Sequence, residues 1–280
     1  MAPYLLIFFV FTVLPVAVSF TLGFTYFNML EFPQWVGFDN YARLFLQDDV
    51  FLIAVKNTLL FSFITGPISY MLSFLVAWII NEMRPKVRAF VTLVFYAPSI
   101  AGNALFIWLI LFSSDSYGYL NAFLLDWGFI LDPIQWLKDT RFIMPIIIIV
   151  QLWLSLGTAF LAFIAGLQGI DRSLYEAAYV DGLKNRWQEL WFITLPTMRP
   201  QLLFGAVIQI TASFGVAEVA TALAGFPSTD YAAHTIVTHL MDYGSIRYEM
   251  GYACAIATVL TGTMLTANLL IQKLLKKVGD

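Results

Sequence analysis

Glu218 is an acidic side chain inside the apolar run 201–224. A charge deep in hydrocarbon costs on the order of 3 kcal/mol on insertion scales, and more if left dry, so this carboxylate must face a cavity or a polar partner. Thr211, Gly215 and Glu218 are spaced to share one helical face, whereas Gln209 and Ser213 form a different stripe. One stripe is expected to face a pathway and the other a packing interface. In an earlier apolar run Tyr96, Ser99 and Asn103 fall at i, i+3 and i+7 beside Pro98, which can open a local gap in a helix. Ser155 and Thr158 flank Gly157 in another. Hydroxyls, amides and a lone carboxylate in such places bind polar ligands or hold a proton or cation; the same groups also make plain interhelical hydrogen bonds. No nucleophile is paired with a base. His234 and His239 have no Cys or carboxylate at ligand spacing, which favours a loop or interface role over a metal site.

A second constellation is the charged, glycine-broken island Glu176 to Pro200, EAAYVDGLKNRWQELWFITLPTMRP. Asp171 or Ser173 can cap a helix start, and Ser173 with Glu176 three residues on matches the S-x-x-E capping box. Gly182 suits the C-terminal stop of that helix. Leu174, Ala177, Ala178 and Asp181 then share one narrow face of small and apolar residues, which another backbone could approach closely. A second helical stretch, Asn185 to Ile193, is expected to end at Leu195-Pro196, with Arg199-Pro200 closing the loop. On the physics alone the island could equally be an ordinary capped connector.

The elements that hold these residues are set by composition. Hydrophobic residues make up 60% of the chain and charged residues 12%, and the mean hydropathy is +0.79. Soluble domains are about 45 to 50% apolar and about 25% charged. The chain is therefore all-α and integral to a membrane, since runs of about ten residues with alternating polarity, as a β-barrel needs, do not occur. Six spans long enough to cross about 30 Å of hydrocarbon are predicted: Tyr4 to Phe27, Val55 to Ile80, Ala89 to Phe112, Phe142 to Gly166, Gln201 to Ala224 and Met250 to Leu270. Residues 1–280 read as a single transmembrane domain whose inner loop covers 167–200. Tyr4 to Phe27 has no basic residue before it and is too long for a signal-peptide core, so it reads as the first span.

Ten of the fifteen Lys and Arg residues fall in one set of segments: Arg84, Lys86 and Arg88; Arg172, Lys184, Arg186 and Arg199; Lys273, Lys276 and Lys277. That side is the cytoplasm, and both chain ends face it. The opposite loops are acidic, and Glu31 to Val50 and Ser113 to Arg141 mix aromatic with acidic residues in a way that suits short helices at the headgroup level. Cys254 sits alone in an apolar run, where packing is its role. Nothing in the net charge of −3 speaks of nucleic acid. No G-x-x-x-x-G-K-[ST] loop occurs, so the energy for any work must come from another subunit or from a gradient.

The composite E-A-A-x-x-D-G with I-x-L-P, here Glu176, Ala177, Ala178, Asp181, Gly182, Ile193, Leu195 and Pro196, resembles the coupling loop of bacterial ABC importer permeases. Trp35-Val36-Gly37-Phe38-Asp39-Asn40-Tyr41, Asn57-Thr58, Tyr96-Ala97-Pro98-Ser99, Met250-Gly251-Tyr252 and Ala255-Ile256-Ala257 extend the likeness, over nearly the whole chain, to the sugar-type branch that includes the maltose transporters. The resemblance implies a type I importer permease fold in a bacterial cytoplasmic membrane, and a transport subunit rather than an enzyme. It implies no cofactor in this chain, with ATP and Mg used by two ATP-binding subunits docked on Glu176, Ala177, Ala178, Asp181, Gly182, Leu195 and Pro196. A second permease of different sequence and a soluble substrate-binding protein at the outer face are implied with them. Tyr96, Ser99, Asn103, Ser155, Thr158, Thr211 and Glu218 would then line a midmembrane path for a sugar or oligosaccharide.

The chain departs from the family at Asp171, often Pro; at Leu183, often Ala; and at Leu223-Ala224-Gly225-Phe226-Pro227, where a T-G-G-G-P string is usual. It also lacks the G-A-V-K-G ending common in the partner permease, which makes it resemble the first subunit of a pair. Two alternatives stand beside this reading: a gradient-driven carrier or channel using Glu218, and an importer permease for glycerol phosphates, polyamines or inorganic anions. The scarcity of intramembrane Arg and Lys counts against anionic cargo.

Overall fold

The computed structural model describes residues Ala2 to Lys277. The expectation that both chain ends face the cytoplasm concerns Met1 and residues 278–280, which lie outside the described residues, as do the side chains of Lys276 and Lys277. In chain order the elements are α1 (Pro3–Leu22), β1 (Thr25–Tyr26), β2 (Gln34–Trp35), α2 (Asp39–Leu46), α3 (Asp49–Asn81), α4 (Pro85–Ile100) and α5 (Leu105–Leu111). There follow α6 (Tyr119–Asp126), α7 (Thr140–Leu154), α8 (Thr158–Gln168), α9 (Arg172–Val180), α10 (Arg186–Glu189), α11 (Arg199–Phe214), α12 (Glu218–Ala224), α13 (Ile236–Met241) and α14 (Met250–Lys277). Among the described residues, five helical runs are long and apolar enough to span a membrane, and a sixth forms if α4 and α5, bent by 79° at their junction, count as one. Among the described residues the single exception to the all-α expectation is the antiparallel pair β1 and β2, with Thr25 opposite Trp35.

The spans differ from their predicted limits for local reasons. The first ends at Leu22 rather than Phe27 because the chain turns at Gly23, where a Cβ would stand 2.8 Å from the Tyr41 hydroxyl. The second begins at Asp49 rather than near Val55, since the Asp48 carboxylate accepts the Phe51 N–H at 2.9 Å and starts the helix six residues earlier. Short helices occupy both aromatic outer loops, α2 in the first and α6 in the second. The second is organised by the fully buried Asn121, whose amide donates to Ile134 O at 3.0 Å while its carbonyl accepts from Trp136 Nε1 at 2.8 Å.

Two compact units make up the chain. One comprises the chain to Leu60 with Phe214–Leu265, the other Phe61–Ser213 with the chain from Thr266. The core of the second gathers Phe74, Ala77 and Ile80 of α3, Phe160, Phe163 and Leu167 of α8, and Leu190 and Met198 of the inner loop. Helices approach closely here because glycines face large side chains: a Cβ on Gly205 would lie 2.3 Å from the Phe163 ring, and one on Gly166 2.9 Å from Met198 Cε. Along α3, Thr58, Ser62, Thr65, Ser69 and Ser73 form a buried hydroxyl stripe at helical spacing. Ser62 Oγ donates to Ser213 O at 3.1 Å, which ties α3 to α11.

Candidate functional site

The inner loop is built from two capped helices. α9 starts at Asp171, whose carboxylate accepts the Ser173 N–H at 3.0 Å. That backbone hydrogen bond, followed by the Ser173 side chain, lowers the Asp171 pKa below the ordinary carboxylate range. The cap is therefore Asp171, and the alternative Ser173 to Glu176 box does not form: Glu176 is exposed, with no side-chain partner among the described residues. The helix closes as a Schellman motif, with Leu183 N–H donating to Ala178 O at 3.0 Å and Gly182 N–H to Tyr179 O at 3.2 Å. Gly182 has φ +97°, and no atom lies within 4 Å of where its Cβ would stand, so backbone conformation rather than crowding calls for glycine.

Sequence spacing put Leu174, Ala177, Ala178 and Asp181 on one face, and the structure divides them. Ala178 turns inward with Tyr175, whose hydroxyl lies 2.9 Å from Thr194 Oγ1, while Leu174, Ala177, Asp181 and Gly182 stay exposed. The reason is the core: only one side of α9 has neighbours in its unit, and Ala178 and Tyr175 occupy it.

Asn185 caps α10 by accepting the Gln188 N–H at 2.9 Å, and Gln188 Oε1 accepts the Lys184 N–H at 2.9 Å in return. The helix does not stop at Ile193. It passes through a π-turn, Leu190–Thr194, and continues over Leu195–Thr197, with Pro196 inside it. Pro196 has no N–H to donate, and the wider turn, in which Leu195 N–H reaches Leu190 O, absorbs the defect without ending the helix. The same device precedes Pro15, where Leu14 N–H bonds Phe9 O across a π-turn at Phe9–Val13. Leu190, Thr194 and Met198 pack inward at intervals of one turn, so Leu195 is half-buried and Pro196 exposed. Tyr179 bonds Glu189, Arg186 pairs with Glu82 at the end of α3, and Trp78 meets Trp187 at 5.4 Å. The two loop helices are thus braced against each other and against α3.

The predicted pathway residues in the same unit gather around two helix breaks. α4 ends at Ile100 just after Pro98, so Asn103 lies in the connecting turn and does not share a helical face with Tyr96 and Ser99. The span that follows breaks at Ser155 to Gly157 between α7 and α8. A Cβ on Gly157 would stand 3.6 Å from Ser99 Cβ, so the structure brings Ser99 to the break beside the exposed Thr158. Ser155 faces the other way. It is 8% exposed, and its carbonyl accepts Gln209 Nε2 at 3.1 Å and Ser73 Oγ at 3.3 Å. Gln209 also donates to Ser73 Oγ at 3.1 Å. Ser155 serves this packing node, whereas Asn103 and Thr158 are exposed at the surface of the unit and the half-buried Ser99 donates its hydroxyl to Tyr96 O at 2.8 Å.

Of the two stripes on the fifth span, Gln209 and Ser213 are buried and Thr211 is exposed. The helix breaks after Phe214, and Glu218 opens α12. Thr211, Gly215 and Glu218 therefore do not lie on one continuous helix. Glu218 is exposed in the first turn of α12, where an acidic side chain complements the helix dipole.

Sequence reasoning missed a buried polar chain in the unit that carries Glu218. His239 Nε2 lies 3.0 Å from Asp48 Oδ2, His234 Nε2 lies 3.0 Å from His239 Nδ1, and Tyr252 Oη donates to Asp48 Oδ2 at 2.8 Å. The carboxylate that bonds His239 comes from 191 residues away in the sequence. Burial lowers the His239 pKa and drives that of His234 down to about 4. Burial alone would raise the Asp48 carboxyl; the Phe51 N–H, the Tyr252 hydroxyl and His239 together hold it below its ordinary value. Beside this chain Arg43 stacks on Tyr252 at 4.2 Å and pairs with Glu249 at 2.5 Å.

Residues 70–278 match the family described as the inner membrane component of binding-protein-dependent transport systems. This chain belongs to that family. The permease is 31% identical over 265 residues to the probable ABC transporter permease protein YesP of Bacillus subtilis strain 168, covering 92% of this chain and 83% of that one. It is 30% identical over 275 residues to the arabinooligosaccharides transport system permease protein AraP of the same organism, covering 98% and 86%. Its fold matches a chain of a bacterial alginate ABC transporter solved in complex with an alginate pentasaccharide-bound periplasmic protein, with a TM-score of 0.80, 27% identity and coverage of 100% and 93%. Membership makes the chain an inner-membrane transport component with the type I importer permease fold, not an enzyme. It also removes the gradient-driven carrier as a reading of Glu218.

Proposed function

We propose that this permease is one of two transmembrane subunits of an ATP-driven importer for an oligosaccharide delivered by an extracytoplasmic binding protein. The observation that carries the mechanism is the braced inner loop, in which α9 exposes Leu174, Glu176, Ala177 and Asp181, and among the described residues the two carboxylates have no side-chain partner. A pair of stiff helices with one unoccupied face can transmit the closing of an ATPase; a flexible connector cannot. ATP and Mg then belong to the partner subunits, two of which dock on the loops of a permease pair.

The distribution of Lys and Arg places this loop in the cytoplasm. Sugar as cargo is supported by AraP and by the alginate importer, which are named for oligosaccharide and polysaccharide transport. It is also supported by the polar groups of Asn103 and Thr158 exposed at the helix breaks, with the half-buried Ser99 beside them and Thr211 exposed near the end of α11, since hydroxyls and amides bond sugar hydroxyls. Irregular backbone inside a span is tolerated where it lines a cavity, and alternating access opens such a cavity to each side in turn. Glu218 completes the proposed path by resemblance.

Charge reversal tests the coupling role. In the assembled importer, Glu176→Lys is expected to leave insertion and basal ATP hydrolysis intact while reducing sugar uptake at least tenfold. Uptake at the unaltered rate would overturn the coupling assignment. Binding measurements on the cognate receptor test the cargo: uncharged oligosaccharides are expected to bind, and tight binding of polyamine or phosphate instead would refute the sugar reading.

A further inference from the structure

A cleft of about 350 Å³ lies between β1 and α2 in the unit that carries the histidine pair. It is at the small end of the roughly 300–1,000 Å³ range of small-molecule sites. Asp39, Arg43 and Gln47 line it at intervals of one helical turn, together with Asn40, the half-exposed Tyr26, Val36 and Ala42. We propose that this cleft is a subsite for a neutral saccharide unit, with Tyr26 as the stacking platform and Asp39 and Gln47 as the hydroxyl-binding groups. The proposal rests on the oligosaccharide reading given above.

Three observations carry it. First, the cleft is preorganised. Asn40 Nδ2 donates to Gly23 O at 3.0 Å and Thr25 O at 2.9 Å, which fixes β1 against α2. Gly251 N–H donates to Phe27 O at 3.0 Å, and a Cβ on Gly251 would come within 2.0 Å of Thr25 O. Tyr26 therefore sits on backbone that cannot drift, and a site held in its binding geometry loses less free energy to ordering.

Second, the groups left over are unsatisfied within the protein. Asn40 spends its amide on the hairpin, and Arg43 is taken by Glu249 and the Tyr252 ring. Among the described residues neither the Asp39 carboxylate nor the Gln47 amide has a side-chain partner, and both are exposed at the cleft. A carboxylate and an amide offer paired acceptors and donors to adjacent hydroxyls, while an aromatic face packs on the C–H face of a sugar ring.

Third, the charge selects. Arg43 is neutralised by Glu249, so Asp39 leaves the cleft with surplus negative charge, which disfavours uronates and phosphates.

Saturation-transfer NMR on the assembled importer in nanodiscs tests this without depending on transport. The probes are arabinohexaose, galactohexaose and maltohexaose, with a galacturonate hexamer and spermidine as charged competitors. At least one neutral sugar is expected to receive saturation, with affinity lowered about tenfold by Tyr26→Ala and by Gln47→Ala but kept by Tyr26→Phe. Equal signals in wild type and Tyr26→Ala for every neutral sugar would overturn the subsite, as would tighter binding of the galacturonate hexamer or of spermidine. ATP-driven uptake of the same sugars, measured alongside, separates the two readings. Uptake without Tyr26-dependent saturation removes the subsite and leaves the importer standing, whereas transport of none of these sugars by wild type counts against the cargo class.

Discussion

The buried imidazole of His239 stands 3.0 Å from the carboxylate of Asp48, which itself starts the long helix α3. With Asp48 ionised, His239 donates from Nε2 and accepts at Nδ1, so His234 must donate from its own Nε2. Both rings are neutral in that arrangement, and Asp242 and Arg247 flank them with opposite charges.

Acid is therefore expected to loosen this unit. An unfolded histidine titrates near ~6.5, whereas folded His234 is held down to about 4. Between those values the unfolded chain binds more protons, so stability rises with pH. The contribution is fully present above about pH 6.5 and is lost as pH falls to about 4; it amounts to about 3 kcal/mol at most. Asp48, also lowered, adds in the same direction below the unfolded carboxylate value. Thermal melts of the purified permease at fixed lipid content should be flat above pH 6.5 and fall below it, and His234→Gln should remove most of that slope. A variant with the full wild-type slope would show that the pair is not responsible.

The same residues show what a sequence can and cannot disclose. The spans were legible because each apolar run exceeds the bilayer thickness, and Gly182 was legible because helix stops use local chemistry. The His239 to Asp48 contact was not, since nothing near the histidines in sequence points to a residue at the start of α3. The hydroxyl stripe of α3 carries a usable sequence signal, small polar residues recurring at helical spacing from Thr58 to Ser73. The break at Ser155 to Gly157 was hidden because the flanking apolar residues run straight through it. At Pro196, the rule that proline ends a helix gave way to a π-turn that absorbs the missing hydrogen bond.

Gly182 offers a test of the loop's stiffness. Because φ there is +97° and the surrounding space is open, Gly182→Val meets no clash but must adopt a conformation that costs about 1–2 kcal/mol for a β-branched residue. The Schellman hydrogen bonds at Leu183 and Gly182 should open more often, and hydrogen exchange at those two amides should speed up by about tenfold. Gly182→Asn, which tolerates positive φ better, is expected to fall between wild type and Val. Unaltered exchange in the Val variant would mean that the motif is held by contacts elsewhere.

Gln209 joins three helices of one unit through Ser73 Oγ and Ser155 O. Gln209→Leu keeps the volume but removes the donor, leaving the Ser155 carbonyl with Ser73 alone at 3.3 Å. Interhelical hydrogen bonds in membranes are worth about 0.6 to 2 kcal/mol, so a loss of about 1–2 kcal/mol is expected. Ser73→Ala should cost less, because Gln209 still reaches Ser155 O. Unfolding in graded denaturing detergent would rank the two variants, and the reverse order would show that Ser73, not Gln209, holds the node.

Gly205 and Phe163 set how closely α11 approaches α8. A Cβ at position 205 would stand 2.3 Å from the ring of Phe163, which is fully buried and cannot swing away. Overpacking of this kind typically costs about 1–3 kcal/mol, and Gly205→Ala is expected to destabilise the unit by about that amount. Shortening the ring should relieve the clash, so Gly205→Ala combined with Phe163→Leu should be more stable than the sum of the two single losses predicts. A double-mutant cycle on detergent unfolding measures this, with a coupling of at least 1 kcal/mol expected for residues in direct contact. Strict additivity would place the tolerance of position 205 in a movement of α11 rather than in the Phe163 ring.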